Sequence, residues 1–291
     1  MASPVAKPDL LELGNRLLKE GPVKTLPTPR RIRILFNGVY VADTTTALYL
    51  WEHPHYPYYY IPLRSFLSTY LINPDDSHVS TVGEDCNDSS AGVSAPVSVV
   101  KLNVGRRSTD RILLFGDRKH LPEGREELAN MVRVEFSVAD AWFEEDMRIY
   151  VHPKDPFKRV DIVPSTRLVR VFIDGTLVAS TTTSHHLYET SLPVRYYVPL
   201  TSVKNLAWLR ESDTRTECPY KGEARYYDVV LPRGIGEGER QAEMVVKDVV
   251  WYYRAPTLES ATVAGLLCFY NEQVDIELDG VRLARPVTHF K

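Results

Sequence analysis

Short runs of alternating apolar and polar residues fill most of the chain, and they break at Asn-Gly or Asp-Gly pairs or at prolines. Around Asp174, Val169, Val171 and Ile173 fall on one side of an extended segment, with Arg170 and Phe172 on the other. That period of two is the mark of a half-buried strand. The pairs Asn37-Gly38 and Asp174-Gly175 supply the two positive φ angles of a type I′ hairpin turn, and Asp279-Gly280 repeats the device near the end. Further strands are predicted over Met131–Phe136, Ala224–Leu231, Val245–Tyr253 and Leu266–Tyr270. Helical spacing is limited to Asp9–Glu20, with Asp9 as N-cap and Gly21 as stop, and a short stretch at Glu123–Asn130. The segment GEDCNDSSAGVSAPVS reads as loop.

The pattern repeats. Arg33–Leu63 aligns without a gap on Arg170–Leu200, at an offset of 137 residues. Gly38, Thr44, Thr45, Thr46, Glu52, Tyr59, Tyr60 and Pro62 recur as Gly175, Thr181, Thr182, Thr183, Glu189, Tyr196, Tyr197 and Pro199. Such density in one register predicts a tandem duplication of ordinary domain size. The expected layout is an N-terminal helical arm (1–29), a first, degenerate β domain (30–160) and a second β domain (161–291). The fold class is mainly β, two tandem antiparallel domains behind a helical arm.

Composition narrows the function classes. The formal charge of −3 gives no electrostatic reason to expect nucleic acid, and no run of about 18 apolar residues suggests a membrane span. The N-terminus lacks the apolar core of a secretory signal, and Cys86, Cys218 and Cys268 form neither a disulfide framework nor a zinc pair. A cytoplasmic protein without metal or cofactor is expected, with a homo-oligomer left open. The eight histidines are scattered and suggest no ligand set.

The second copy strings together FIDGTLVAST, LYETSLPVRYYVP, SDTRTECPYKGEARYYDV, DVVWYYRAP and GLLCFYNEQVDIELDG. This set resembles the domain-of-unknown-function family 427, which is sometimes given a nucleotidyltransferase-like label. The resemblance covers nearly all of Val169–Gly280, and Ala139–Val171 is similar to the linking part of two-copy members. It implies a small antiparallel β structure of the tent type, with two sheets meeting at an angle. The nucleotidyltransferase label is disfavoured, because no Gly-rich loop opens a helix; RGIGEG at Arg233–Gly238 reads as a hairpin loop.

The Cys-Pro-Tyr-Lys-Gly stretch, Cys218–Gly222, is the first candidate site. At the same offset the first copy has Thr81–Asp85, with a hydroxyl for the thiol and an acid for the lysine. A bend at Pro219 and Gly222 brings Lys221 toward Cys218, where a cation activates a thiol, or leaves Lys221 to hold a carboxylate, carbonyl or phosphate of a ligand; burial of Cys218 and a surface pair of Lys221 with Glu223 is the bland alternative. Glu189 is the candidate acid or base, its pKa raised by burial among Tyr188, Tyr196 and Tyr197. Because Glu52 repeats it, a structural role such as accepting backbone N–H groups at a turn stays open. Arg195 stands where the first copy has Tyr58, and with Lys221 it is a candidate anion or oxyanion stabiliser, a surface salt bridge being the alternative. Tyr197 is a candidate hydrogen-bond donor, and Tyr196, Tyr220, Trp251, Tyr253, Tyr270 and Asn271 are candidate ligand contacts. Trp251 is matched with Trp142 and so also reads as core. The expected function is cofactor-independent acid–base chemistry on a small organic molecule; a binding module and an assembly protein are the alternatives.

Overall fold

The computed structural model describes residues 9–67, 70–72, 95–233 and 242–288. Cys86, His78, His289, Thr81–Asp85, most of the loop segment and Gly234–Gly238 lie outside the described residues. The chain divides into two compact units, Met1–Asp155 and Pro156–Lys291. Val160–Ile162 runs inside the first strand of the second unit.

The first unit opens with helix α1 (Leu10–Glu20). Its strands are β1 (Lys24–Pro27), β2 (Ile32–Phe36), β3 (Val39–Thr44), β4 (Leu48–Trp51), β5 (Tyr58–Pro62), β6 (Leu71–Ile72), β7 (Val97–Val104), β8 (Arg107–Phe115), β9 (Met131–Val134), β10 (Ala141–Glu144) and β11 (Met147–Ile149). They form two antiparallel sheets, ordered β1-β4-β5-β9-β8-β7-β6 and β11-β10-β2-β3. One core joins residues of both sheets, among them Ile32, Ile34, Phe36, Ile61, Ile112, Leu114 and Trp142.

The other face of the seven-stranded sheet is covered by α1. Asp9 caps the helix by accepting from the Leu11 and Glu12 backbone N–H groups at 2.8 and 3.0 Å, satisfying donors that a helix start leaves open. Leu10, Leu13, Leu17 and Leu18 then fall on one face and pack on Leu50, Tyr60, Val97, Leu113 and Phe115. Gly14 lets the helix approach closely, since a Cβ there would stand 2.6 Å from Val97 Cγ2. The expected arm is thus part of the first unit, because its leucine stripe is buried only on that sheet. No helix among the described residues is long and apolar enough to cross a membrane.

The second unit carries β12 (Val160–Ser165), β13 (Val169–Ile173), β14 (Thr176–Thr181), β15 (Ser184–Glu189), β16 (Arg195–Val198), β17 (Leu209–Cys218), β18 (Gly222–Arg233), β19 (Ala242–Tyr253), β20 (Leu267–Phe269), β21 (Asp275–Leu278) and β22 (Val281–Arg282). Their antiparallel sheets run β12-β15-β16-β20-β19-β18-β17 and β14-β13-β21-β22, the strand order of the first unit repeated. The hairpin turns adopt the expected positive φ, at Asn37 and Gly38 (48° and 75°), Asp174 and Gly175 (47° and 75°), and Asp279 and Gly280 (52° and 83°). The Glu123–Asn130 segment makes just one 3-10 turn, Glu126–Leu128, because Gly124 and Asn130 on either side adopt positive φ.

Shared strand order gives residue-by-residue counterparts that the ungapped alignment misses beyond Leu63. Tyr60 pairs with Arg133 across β5 and β9, and Tyr197 with Cys268 across β16 and β20, so Cys268 stands in the place of Arg133. By the same pairing Trp251 opposite Cys268 matches Leu113 opposite Arg133. Trp142 pairs with Ile34 on β2, whereas Ile276 pairs with Val171 on β13. Matching Trp251 with Trp142 is therefore corrected: Trp142 lies in the core between the sheets, and Trp251 lies on the opposite face of the large sheet.

Candidate functional site

On that opposite face the two units diverge. In the second unit it carries Leu187, Tyr197, Ala224, Tyr226, Trp251, Tyr253 and Cys268, with Tyr270 packed against them. Alternation along β16, β18 and β19 places these rings on one side, while Tyr196, Tyr227 and Tyr252 join the core on the other. Where the first unit has Leu113 and Phe115 under a helix, the second has Trp251 and Tyr253. Among the described residues no α-helix belongs to the second unit. The Trp251 ring lies 4.4 Å from that of Tyr270, and Tyr226 stacks on Tyr270 at 6.5 Å. Trp251 Nε1 donates to the Tyr197 hydroxyl at 3.1 Å.

Cys218–Gly222 forms the turn between β17 and β18, with Cys218 paired to Gly222 across the hairpin. The turn is pinned from behind: the Tyr220 carbonyl accepts from Thr257 Oγ1 at 2.5 Å and Ser260 Oγ at 3.0 Å, and the Lys221 carbonyl accepts from the Thr257 N–H at 3.2 Å. Gly222 has φ of 91°. Gly222→Ala should cost about 1–2 kcal/mol from backbone strain alone, since its Cβ would meet nothing nearer than 3.6 Å. Urea denaturation reads the loss, and an unchanged midpoint would mean that the turn adopts another shape without penalty.

The pinned turn aims Lys221 at Glu189. Lys221 Nζ donates to Glu189 Oε2 at 2.6 Å, and Lys158 Nζ lies 2.9 Å from Oε1. The Cys218 sulfur also acts on the Lys221 ammonium and favours its charged form, and Lys158 stands over the Tyr220 ring at 5.4 Å. Glu223, a possible surface partner of Lys221, pairs with Arg225 instead.

Two expectations for Glu189 are corrected. Burial does work to raise its carboxyl pKa, but Lys221 and then Lys158 outweigh it, so the group titrates below the usual range. Tyr188 is exposed and Tyr196 turns to the core, so neither encloses it. Nor, among the described residues, is the repeated glutamate seen to accept backbone N–H groups: Glu52, its counterpart, takes Arg133 Nε at 2.5 Å and the Tyr60 hydroxyl at 3.1 Å. Burial pulls the Lys221 ammonium down, and Cys218 and Glu189 more than offset that, leaving it above the ordinary lysine value. At neutral pH the pair is a carboxylate and an ammonium.

Arg195 shares the face but turns the other way. It grips Glu272 with two hydrogen bonds of 2.6 Å each and also donates to Asn271 Oδ1, a bidentate geometry that fixes its plane. Its guanidinium sits 5.3 Å from the Trp251 ring centre and 5.9 Å from that of Tyr270. Asn271 in turn donates to the Val194 carbonyl at 3.1 Å. In the first unit the cation is on the other strand: Arg133, where Cys268 stands, lies over Tyr58, where Arg195 stands. Burial pushes the Cys268 thiol far up, outweighing the opposing pull of Arg195 and Lys221. Burial likewise keeps Tyr197 a neutral phenol.

Of the predicted site residues, Glu189, Lys221, Cys218, Tyr197, Tyr220, Trp251, Tyr253, Arg195, Tyr270 and Asn271 border this one face or its turn. Tyr196 does not; it packs in the core edge-on to His186. Cys218, Arg195, Tyr270, Asn271 and Glu272 are half-buried and form the accessible edge. Sequence reasoning missed Lys158 and Cys268 as parts of this face. Cys268 lies 135 residues after Arg133 and Trp251 138 after Leu113, so unequal loops displace both from the 137-residue register.

No curated protein matches the chain. A family model described as a domain of unknown function, DUF427, matches residues 24–84 and 161–280, the first part of one unit and nearly all of the other. Those segments span more than half of the chain, which therefore belongs to the DUF427 family.

Proposed function

We propose that the second unit is a binding module for a small organic molecule with a planar or apolar body. The observation that carries this reading is the exchange of Leu113 and Arg133 in the first unit for Trp251 and Cys268 in the second, on the face that α1 covers in the first. Trp251 and Tyr226 are buried in this cluster, and the half-buried Tyr270 packed against them is the ring that a flat ligand can reach; Trp and Tyr offer contact area with polar tips. Glu189 and Lys221, the groups expected to move protons, are each other's counterions in their charged forms. Acid–base chemistry asks for a group poised near the working pH, so we assign this pair to holding the turn in place. Trp251→Leu restores the first unit's residue and is the direct test. Compounds from an aromatic and heteroaromatic panel that raise the wild-type melting temperature should lose that effect in Trp251→Leu. Equal shifts in both proteins would sink the assignment, and turnover of a bound compound would replace it by catalysis.

A further inference from the structure

The charges around the repeated glutamate balance in one unit and not in the other. In the first unit Glu52 pairs with Arg133, Arg133 also with Glu135, and Glu135 with Arg111: two carboxylates face two guanidinium groups. In the second unit Glu189 meets both Lys221 and Lys158, at 2.6 and 2.9 Å. Arg195 and Glu272 neutralise each other nearby. Among the described residues Glu189 is the one carboxylate in salt-bridge reach of either lysine, so one positive charge is left over. The side chains are largely withdrawn from water, Lys221 11% and Lys158 19% exposed. An uncompensated charge in such a place is costly and is stabilised by a counter-anion. Resting on the binding reading above, we infer that the ligand is a small organic anion. Its carboxylate, sulfonate or phosphate group lies against Lys158 and Lys221, and its flat body lies against the half-buried Tyr270, which is backed by the buried Trp251 and Tyr226 rings. Glu189 holds the two ammonium groups in position, and the pinned Pro219–Gly222 turn fixes Lys221.

A matched pair of fluorescent probes tests this on the full chain: 8-anilinonaphthalene-1-sulfonate, an anion, and N-phenyl-1-naphthylamine, its uncharged analogue. The wild type should bind the anion at least about tenfold more tightly, the effect of roughly 1.4 kcal/mol. Lys158→Met, which keeps the apolar stem, should remove that preference while leaving the neutral probe's affinity unchanged, and Lys158→Arg should retain it. Trp251→Leu should weaken both probes. If Lys158→Met leaves the anion's affinity intact while Trp251→Leu weakens both, the charge assignment fails and the binding face stands. If Trp251→Leu changes neither, or the wild type binds neither, both fall. Should Lys158→Met spare anion binding and instead slow iodoacetamide alkylation of Cys218, the sulfur is the counter-charge and the inference is overturned.

Discussion

Glu189→Gln should destabilise the second unit by about 3–5 kcal/mol, because it leaves two buried ammonium groups without their carboxylate. Lys221→Met should cost less, since Lys158 remains against Glu189 as counterion. The double variant Glu189→Gln/Lys221→Met should recover part of the loss, because one ammonium group rather than two is then left without its carboxylate. Urea denaturation followed by the tryptophan fluorescence of each variant reads this order. A reversed order would mean that Lys221 holds the turn by some contact other than Glu189.

The same pair predicts the pH dependence. Glu189 titrates below its usual 4.5 in the folded state, so its contribution is present above that value and is lost as pH falls through the lowered one. Lys221 titrates above its usual 10.5, so its contribution is complete below that value and is lost as pH rises through the raised one. The wild type should therefore exceed Glu189→Gln most between those limits, and the gap should narrow in acid. A gap independent of pH would remove the ion pair as its cause.

Leu17→Ala in α1 should cost the first unit about 2–5 kcal/mol, the range for emptying a fully buried leucine site. The helix is short, and isolated helices of this length are marginal in water. Its stability comes from the leucine stripe on Leu50, Val97, Leu113 and Phe115. Far-UV circular dichroism during thermal melting should show helix and first-unit sheet losing structure together at a lower temperature. Loss of the helix signal alone, with the sheet unaffected, would make α1 a detachable arm.

Local chemistry made much of this protein legible in its residues. The Asn-Gly and Asp-Gly turns, the strand alternation, Asp9 and Gly21 bounding α1, and the recurrence of Glu52 as Glu189 all act within a few residues or at one constant spacing. Such signals survive without knowledge of the fold. The pairing of Glu189 with Lys158 and Lys221 was not legible, because partners 31 and 32 residues away meet only once the sheet and the pinned turn exist. Nor was the burial-driven expectation for Glu189 correct in sign, since desolvation acts through composition but the nearby cations act through distance. Sheet register decided the rest. It set Trp251 against Leu113 and Cys268 against Arg133, where loops of unequal length hide the correspondence from any ungapped reading. The sequence by itself determined a β-rich chain with repeated hairpins and a capped N-terminal helix. Only the tertiary structure decided which face is aromatic, which charges balance and which do not, because these depend on side chains brought together across strands distant in the chain.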